Sequence, residues 1–118
     1  MELIDKYIEL CFLHGELQQQ GDSEKSNNVH SQITNLVNEI RASNKNTVNL
    51  FYKLLDHENA SVSLWTAAKL LGTFEEKSVA TLQRVGSNPK IIGLSANALL
   101  KLWEDGMHQV ENWEIAST

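Results

Sequence analysis

The chain has 118 residues, a net charge of −5 and a pI near 5.3. That length suits one domain with its own core, and no intramolecular disulfide can form because Cys11 is the only cysteine. An acidic surface repels phosphate groups, which argues against binding to nucleic acid or an anionic membrane and favours a basic protein partner. The alternative is that mild acidity serves only solubility.

The first residues carry acids where a signal peptide would carry positive charge. No apolar run approaches the ~20 residues that span a bilayer. We therefore expect a cytoplasmic protein that makes no membrane contact, with its single thiol kept reduced.

Apolar residues recur at helical spacing, and the single proline and few glycines indicate helices joined by short turns. The pattern predicts six helices, over about residues 2–20, 23–42, 47–55, 60–71, 73–85 and 90–105. Thr47 and Asn59 are expected N-caps, and Thr73 with Glu76 is an expected capping box. Pro89 fits the first helical position of the sixth helix.

The later helices repeat at an offset of 31 residues, a period typical of stacked helix pairs. The apolar pairs in this register are Val48 and Val79, Phe51 and Leu82, Leu54 and Val85, Ala67 and Ala98, Ala68 and Leu99, and Leu71 and Leu102. The predicted fold is all-α, a short α-solenoid of about three antiparallel helix pairs over residues 1–106. Residues 107–118 form a tail that either caps the solenoid or is disordered.

Residues 54–62 and 65–71 contain a leucine pair, a polar turn, a valine and then paired alanines and a leucine, and this order resembles the HEAT-like repeat signature. Together, residues 63–68, 88–96 and 100–103 resemble a bacterial family of short HEAT-like domains of unassigned activity, over roughly residues 1–106. Similar members occur as immunity proteins beside polymorphic or contact-dependent-inhibition toxins. The resemblance implies that role here.

No residue pattern predicts catalysis, a cofactor or a metal site. The four histidines, at positions 14, 30, 57 and 108, fall in four different elements and are expected to face solvent. Cys11 lies in an apolar run and is expected to be a small buried hydrophobe. A hydrolase built on Cys11 and one of the histidines is the competing hypothesis, and its apolar setting argues against it.

Partner binding is the function that remains, and five residues are predicted to carry it. Acids in the last turn of a helix oppose the helix macrodipole, so Glu104 and Asp105 call for an explanation outside the helix. Trp113 could either cap the last repeat or anchor a partner. The predicted partner-binding residues are Asp56, Glu58, Glu104, Asp105 and Trp113.

The resemblance implies, and the acidic charge fits, a non-enzymatic immunity protein that is expected to be monomeric when free. It would neutralise a cognate basic toxin, such as a nuclease, by occluding it. The alternative is a general adaptor or scaffold module that binds a peptide or subunit in a groove.

Overall fold

The computed structural model describes residues 2–108 and residue 113. Within that part of the chain every regular element is helical and no strand is present. The predicted all-α class is therefore confirmed. The elements are α1 (Glu2–Gln19), α2 (Ser23–Arg41), α3 (Lys45–Lys53), a 3₁₀ segment (Leu54–Asp56), α4 (Ala60–Leu70), α5 (Glu75–Gly86) and α6 (Ile91–Glu104).

The described residues fall into two compact units, residues 2–53 and residues 54–108 with 113. Unit 1 contains α1, α2 and α3, and unit 2 contains the 3₁₀ segment, α4, α5 and α6. The prediction of a single domain over residues 1–106 stays a prediction. Across both units, no described helix combines the length and the apolar character needed to cross a bilayer.

In unit 1, α1 and α2 pack as a hairpin and α3 packs on both. The hairpin turn is built on Gly21, whose φ of +75° is the left-handed conformation that glycine adopts without strain. Gly21 N donates to Gln18 O and Asp22 N to Leu17 O, which completes a Schellman motif at the end of α1. The buried rings of Tyr7 and Phe51 meet edge to face, with centroids 5.0 Å apart.

In unit 2, α5 packs between α4 and α6, and successive helices run antiparallel. Asn97 Nδ2 in the middle of α6 donates to Gly86 O at the end of α5, at 3.2 Å. Trp103 Nε1 near the end of α6 donates to Glu75 Oε2 at the start of α5, at 3.0 Å. One end of the unit therefore gathers the start of α4, the end of α5 and the start of α6, and the other end gathers their opposite termini.

The predicted N-cap of α4 is confirmed and that of α3 is wrong. Asn59 Oδ1 accepts from Ser61 N and Val62 N, at 3.0 and 3.1 Å. Thr47 is not a cap, because α3 begins two residues before it and Asn44 Oδ1 accepts from Thr47 N at 2.9 Å. Asparagine is the stronger capping residue, and it sets the helix start here.

The last two predicted helix starts also differ from the structure. The capping box at Thr73 does not form, since α5 begins at Glu75 with Phe74 at its N-cap position. Phe74 N instead donates to Leu70 O at 2.7 Å, which extends the last turn of α4 past the predicted start. Pro89 is not the first residue of α6 either, because Lys90 occupies the N-cap position and is extended.

Residues 31 positions apart in the predicted register are similarly buried up to α5. In α6 the counterparts of buried residues are exposed. Phe51 and its counterpart Leu82 are both fully buried. Ala67 and Leu71 are also fully buried, but their counterparts in α6 are exposed, Leu102 to 42%. The buried residues of helix α6 are small, Gly93 and Ala96, whereas the repeat-related Leu102 is directed outward.

Candidate functional site

A polar pocket of about 420 Å³ lies in unit 2, at the end where α4 begins and α5 ends. It mixes acidic, basic and hydroxyl side chains. Its lining residues are Asp56, His57, Glu58, Ala60, Ser63, Arg84, Val85, Ser87 and Asn88.

The turn between the 3₁₀ segment and α4 lines one side of the pocket. Asn59 N donates to His57 Nδ1 at 3.0 Å, so Nδ1 is the accepting nitrogen of the ring. Ser63 Oγ donates to the carbonyl oxygen of His57. These bonds fix the backbone of the turn and leave the acids on either side of His57, Asp56 and Glu58, exposed.

Arg84 joins this turn to the end of α5. Its Nη2 donates to Leu55 O at 3.0 Å and to Ser63 Oγ at 3.2 Å. A second donor, Thr81 Oγ1, lies 3.3 Å from Leu55 O. Carbonyls at a helix end have no partner within the helix, and Leu55 O finds its partners on α5. The other guanidinium nitrogen, Nη1, lies 3.9 Å from Asp56 Oδ1 in an exposed ion pair.

The structure brings some of the predicted partner-binding residues together and separates others. Asp56 and Glu58 stand on the pocket rim, and the Asp56 side chain is 84% exposed. Glu104 and Asp105 are exposed at the opposite end of unit 2. Glu104 is the last of the 14 residues of α6, which span about 21 Å, and Asp105 follows it. Asp105 Oδ1 lies 3.5 Å from Lys101 Nζ. The two acidic pairs therefore do not form one patch.

Trp113 is buried against the last turn of α4, and its two predicted roles, capping the last repeat and anchoring a partner, stay predictions. It is 6% exposed, and its indole Nε1 donates to Lys69 O at 3.0 Å. Its backbone N donates to Thr73 Oγ1 at 3.2 Å, and His108 Nε2 lies 3.0 Å from Ala68 O. Trp113 and His108 thus satisfy carbonyls in the last turn of α4, and in this position Trp113 presents no exposed anchor. The remaining tail positions, 109–112 and 114–118, lie outside the described residues.

One histidine contradicts the prediction that all four face solvent. His14 is only 9% exposed, on the buried face of α1. Burial lowers the pKa of His14, and the nearby His30 ring, 6.3 Å away between centroids, lowers it further. The cause is desolvation of the imidazolium, since the apolar stripe of α1 leaves this ring inside unit 1.

Cys11 is fully buried, as the sequence predicts. Burial raises the pKa of its thiol to about 12, and a hydrogen bond with Tyr7 offsets part of that rise. A thiol with so high a pKa is a poor nucleophile at neutral pH. Among residues 2–108 and 113, no three side chains of the metal-binding types come together.

Sequence reasoning missed three residues of the pocket, His57, Ser63 and Arg84. A basic residue in the last turn of a helix is common because it suits the macrodipole. Arg84 therefore did not stand out in the sequence as a site residue. Its hydrogen bonds span 29 and 21 residues and depend on how α5 packs. Ser63 stands within the predicted helix α4, and only the polar turn before it hinted at a site.

Comparison with protein-family models, with curated proteins and with solved structures finds no match to this chain. The resemblance to HEAT-like immunity proteins thus stays a prediction. The pocket and the charges around it are the physical basis for a functional proposal.

Proposed function

We propose that this chain is an immunity protein, which binds a cognate basic bacterial toxin, such as a nuclease, and occludes it. It acts by binding rather than catalysis, in the cytoplasm, on a short HEAT-like α-solenoid. The 31-residue register of apolar residues in the sequence supports this repeat, and burial follows the register as far as α5. The observation that carries the proposal is the placement of Asp56 and Glu58, two exposed carboxylates on the rim of a pocket of about 420 Å³.

The pocket is suited to a lysine or arginine side chain from the partner. Arg84 Nη2 donates to Leu55 O and Ser63 Oγ, which holds the guanidinium in place on unit 2 without neutralising its charge. Its ion pair with Asp56 is long and exposed, and such pairs contribute about 0–1 kcal/mol. Asp56 can therefore exchange this partner for an incoming cation at little cost, while Glu58 supplies a second carboxylate.

The net charge of −5 supports the same partner chemistry. A basic toxin is steered toward an acidic protein, which raises the association rate at low ionic strength. Slow release must then come from contacts that exclude water around the inserted side chain. Affinity that depends on these charges falls as salt is added.

The test is a binding titration with the toxin encoded next to this protein, in wild type and in the double variant Asp56→Asn, Glu58→Gln. Removing both carboxylates should weaken binding at least about tenfold. The control, Glu24→Gln with Glu39→Gln, removes the same charge from exposed positions on α2 and should change affinity by less than about threefold. Equal losses in the two variants would refute the pocket as the contact site.

If the wild-type chain formed no complex with that toxin, the proposed immunity role would be refuted. Recovery of a housekeeping complex in a pull-down would then favour the second candidate function, a general adaptor or scaffold module.

A further inference from the structure

We propose that His57 is a positioning residue of the polar pocket in unit 2 and makes toxin binding there sensitive to pH. The neutral ring holds the turn that carries Asp56 and Glu58. The protonated ring releases that turn and offsets the negative charge of the pocket. This role rests on the proposed function, in which the pocket receives a cationic side chain of the toxin.

The ring of His57 satisfies a backbone donor at the start of α4. Asn59 caps the helix with its side chain, since its Oδ1 accepts from Ser61 N and Val62 N. In a capping box, the side chain at the third helical position accepts in return from the backbone N of the cap. That position is held here by Val62, whose side chain has no acceptor. His57 Nδ1 accepts from Asn59 N at 3.0 Å instead.

Only the neutral ring can make this bond. An imidazole nitrogen accepts through its lone pair, whereas both nitrogens of an imidazolium carry protons. Protonation of His57 therefore sets two N–H groups against each other where the bond with Asn59 N now lies. It also adds positive charge beside the N-terminus of α4, which is the positive end of the helix dipole. The protonated ring consequently has to leave Asn59 N.

The backbone that this bond fixes also positions the acids of the pocket. Ser63 Oγ donates to His57 O and approaches Asn59 O at 3.3 Å, so the turn is held from inside unit 2 as well. Asp56 and Glu58 flank His57 in the sequence, and both are exposed. Loss of the ring bond therefore loosens the segment from which the two carboxylates project.

The charges around His57 make the pocket negative only while the ring is neutral. Asp56 and Glu58 belong to its own turn, Arg84 comes from α5, and the first turn of α4 carries no charged side chain. Two carboxylates and one guanidinium give these lining residues a formal charge of −1. A proton on His57 brings that charge to zero, so the pocket attracts a lysine or arginine side chain less as the pH falls.

The first experiment is a two-dimensional NMR titration of the chain without toxin, from pH 7.5 to pH 5.5. Histidine is the side chain that ordinarily changes charge in this range. The Asn59 amide signal should shift together with the ring signals of His57, because protonation breaks the bond between them. In His57→Asn the new side-chain oxygen can accept from the same N–H but takes up no proton, so the Asn59 amide should stay unchanged. A wild-type Asn59 amide that does not follow the ring would overturn the proposal.

The second experiment measures toxin affinity at the same two pH values. Wild type should bind about tenfold more weakly at pH 5.5 than at pH 7.5. His57→Asn should match wild type at pH 7.5 and lose less than about threefold at pH 5.5. His57→Ala, which has no acceptor for Asn59 N, should bind more weakly than wild type at pH 7.5.

The matched control is His30→Gln, which removes a histidine from an exposed position on α2 and should keep the tenfold pH dependence. Circular dichroism at both pH values verifies that each variant is folded. Equal pH dependence in wild type and His57→Asn would overturn the proposal although the complex forms. If no complex forms at either pH, the proposed function is refuted and pH-sensitive binding with it, and the NMR titration still decides whether His57 holds the turn.

Discussion

Arg84 Nη2 donates a 3.0 Å hydrogen bond to Leu55 O, across 29 residues of sequence. This bond holds the 3₁₀ segment against the end of α5, and it determines the shape of the proposed toxin pocket. Without it, Leu55 O keeps the contact with Thr81 Oγ1 on α5, and the turn carrying Asp56 and Glu58 keeps the bond from Ser63 Oγ to His57 O.

Arg84→Ala should lower the free energy of unfolding by about 1–2 kcal/mol, because it removes a charged donor from a carbonyl at a helix end. Urea denaturation measures the change. Gln83→Ala, at the exposed neighbouring position in α5, should change stability by less than about 0.5 kcal/mol. If Arg84→Ala proved as mild as this control, the bond would have no structural role.

Two buried serines should respond oppositely to loss of the hydroxyl. Ser63 and Ser78 are both fully buried, but Ser63 Oγ donates to His57 O and accepts from Arg84, whereas Ser78 Oγ has no hydrogen-bond partner. Ser63→Ala should cost about 1–2 kcal/mol, and Ser78→Ala should be neutral or stabilising. Thermal unfolding of the two variants measures the contrast, and a destabilising Ser78→Ala would show that its hydroxyl does have a partner.

Gly93→Ala should destabilise unit 2 although alanine is the better helix former. A Cβ at Gly93 would lie 1.9 Å from the carbonyl oxygen of Asn88, and that oxygen belongs to the backbone, which cannot rotate away. We expect a loss of about 2–3 kcal/mol in chemical denaturation. Gly21→Ala should cost about 1 kcal/mol. Its only strain comes from the φ of +75°, because no atom lies within 4 Å of the added Cβ. A smaller loss at Gly93 than at Gly21 would contradict the close approach.

His14 should make stability depend on pH in mildly acidic solution. Its pKa in the folded chain is lower than the unfolded value of 6.5, so below pH 6.5 the unfolded chain binds more protons. Stability is therefore complete above pH 6.5 and is lost as pH falls toward the folded pKa, by up to about 1 kcal/mol at pH 5.5.

The measurement is urea unfolding at pH 7.5 and 5.5. His14→Gln should remove this part of the pH dependence, and His30→Gln, at an exposed site, should leave most of it. The same pH dependence in wild type and His14→Gln would assign it to other groups.

Cys11 should resist alkylation in the native protein. With a pKa of about 12, roughly one thiol in 10⁴ is ionised at pH 8, and the residue is fully buried. Iodoacetamide labelling followed by mass spectrometry should therefore be slow in buffer and rapid in urea. Fast labelling of Cys11 in the native protein would instead favour the hydrolase hypothesis.

The sequence was sufficient to predict the elements that are determined by residues close together in the chain. The helical spacing of apolar residues predicted six helices, and Asn59 was recognisable as a cap because its partners lie two and three residues away. Arg84 was not recognisable, because its acceptor depends on the packing of α5. Thr73 was misassigned for a related reason, since its hydroxyl accepts from Trp113, 40 residues later, instead of capping α5.

The two side chains that close the last turn of α4 come from 40 and 44 residues farther along the chain. Closing loops of that length costs conformational entropy before any contact compensates for it. We therefore expect these hydrogen bonds to form late, after α5 and α6 have returned the chain to the last turn of α4. Unit 2 should accordingly fold from its middle outward, with the Trp113 contact among the last to form.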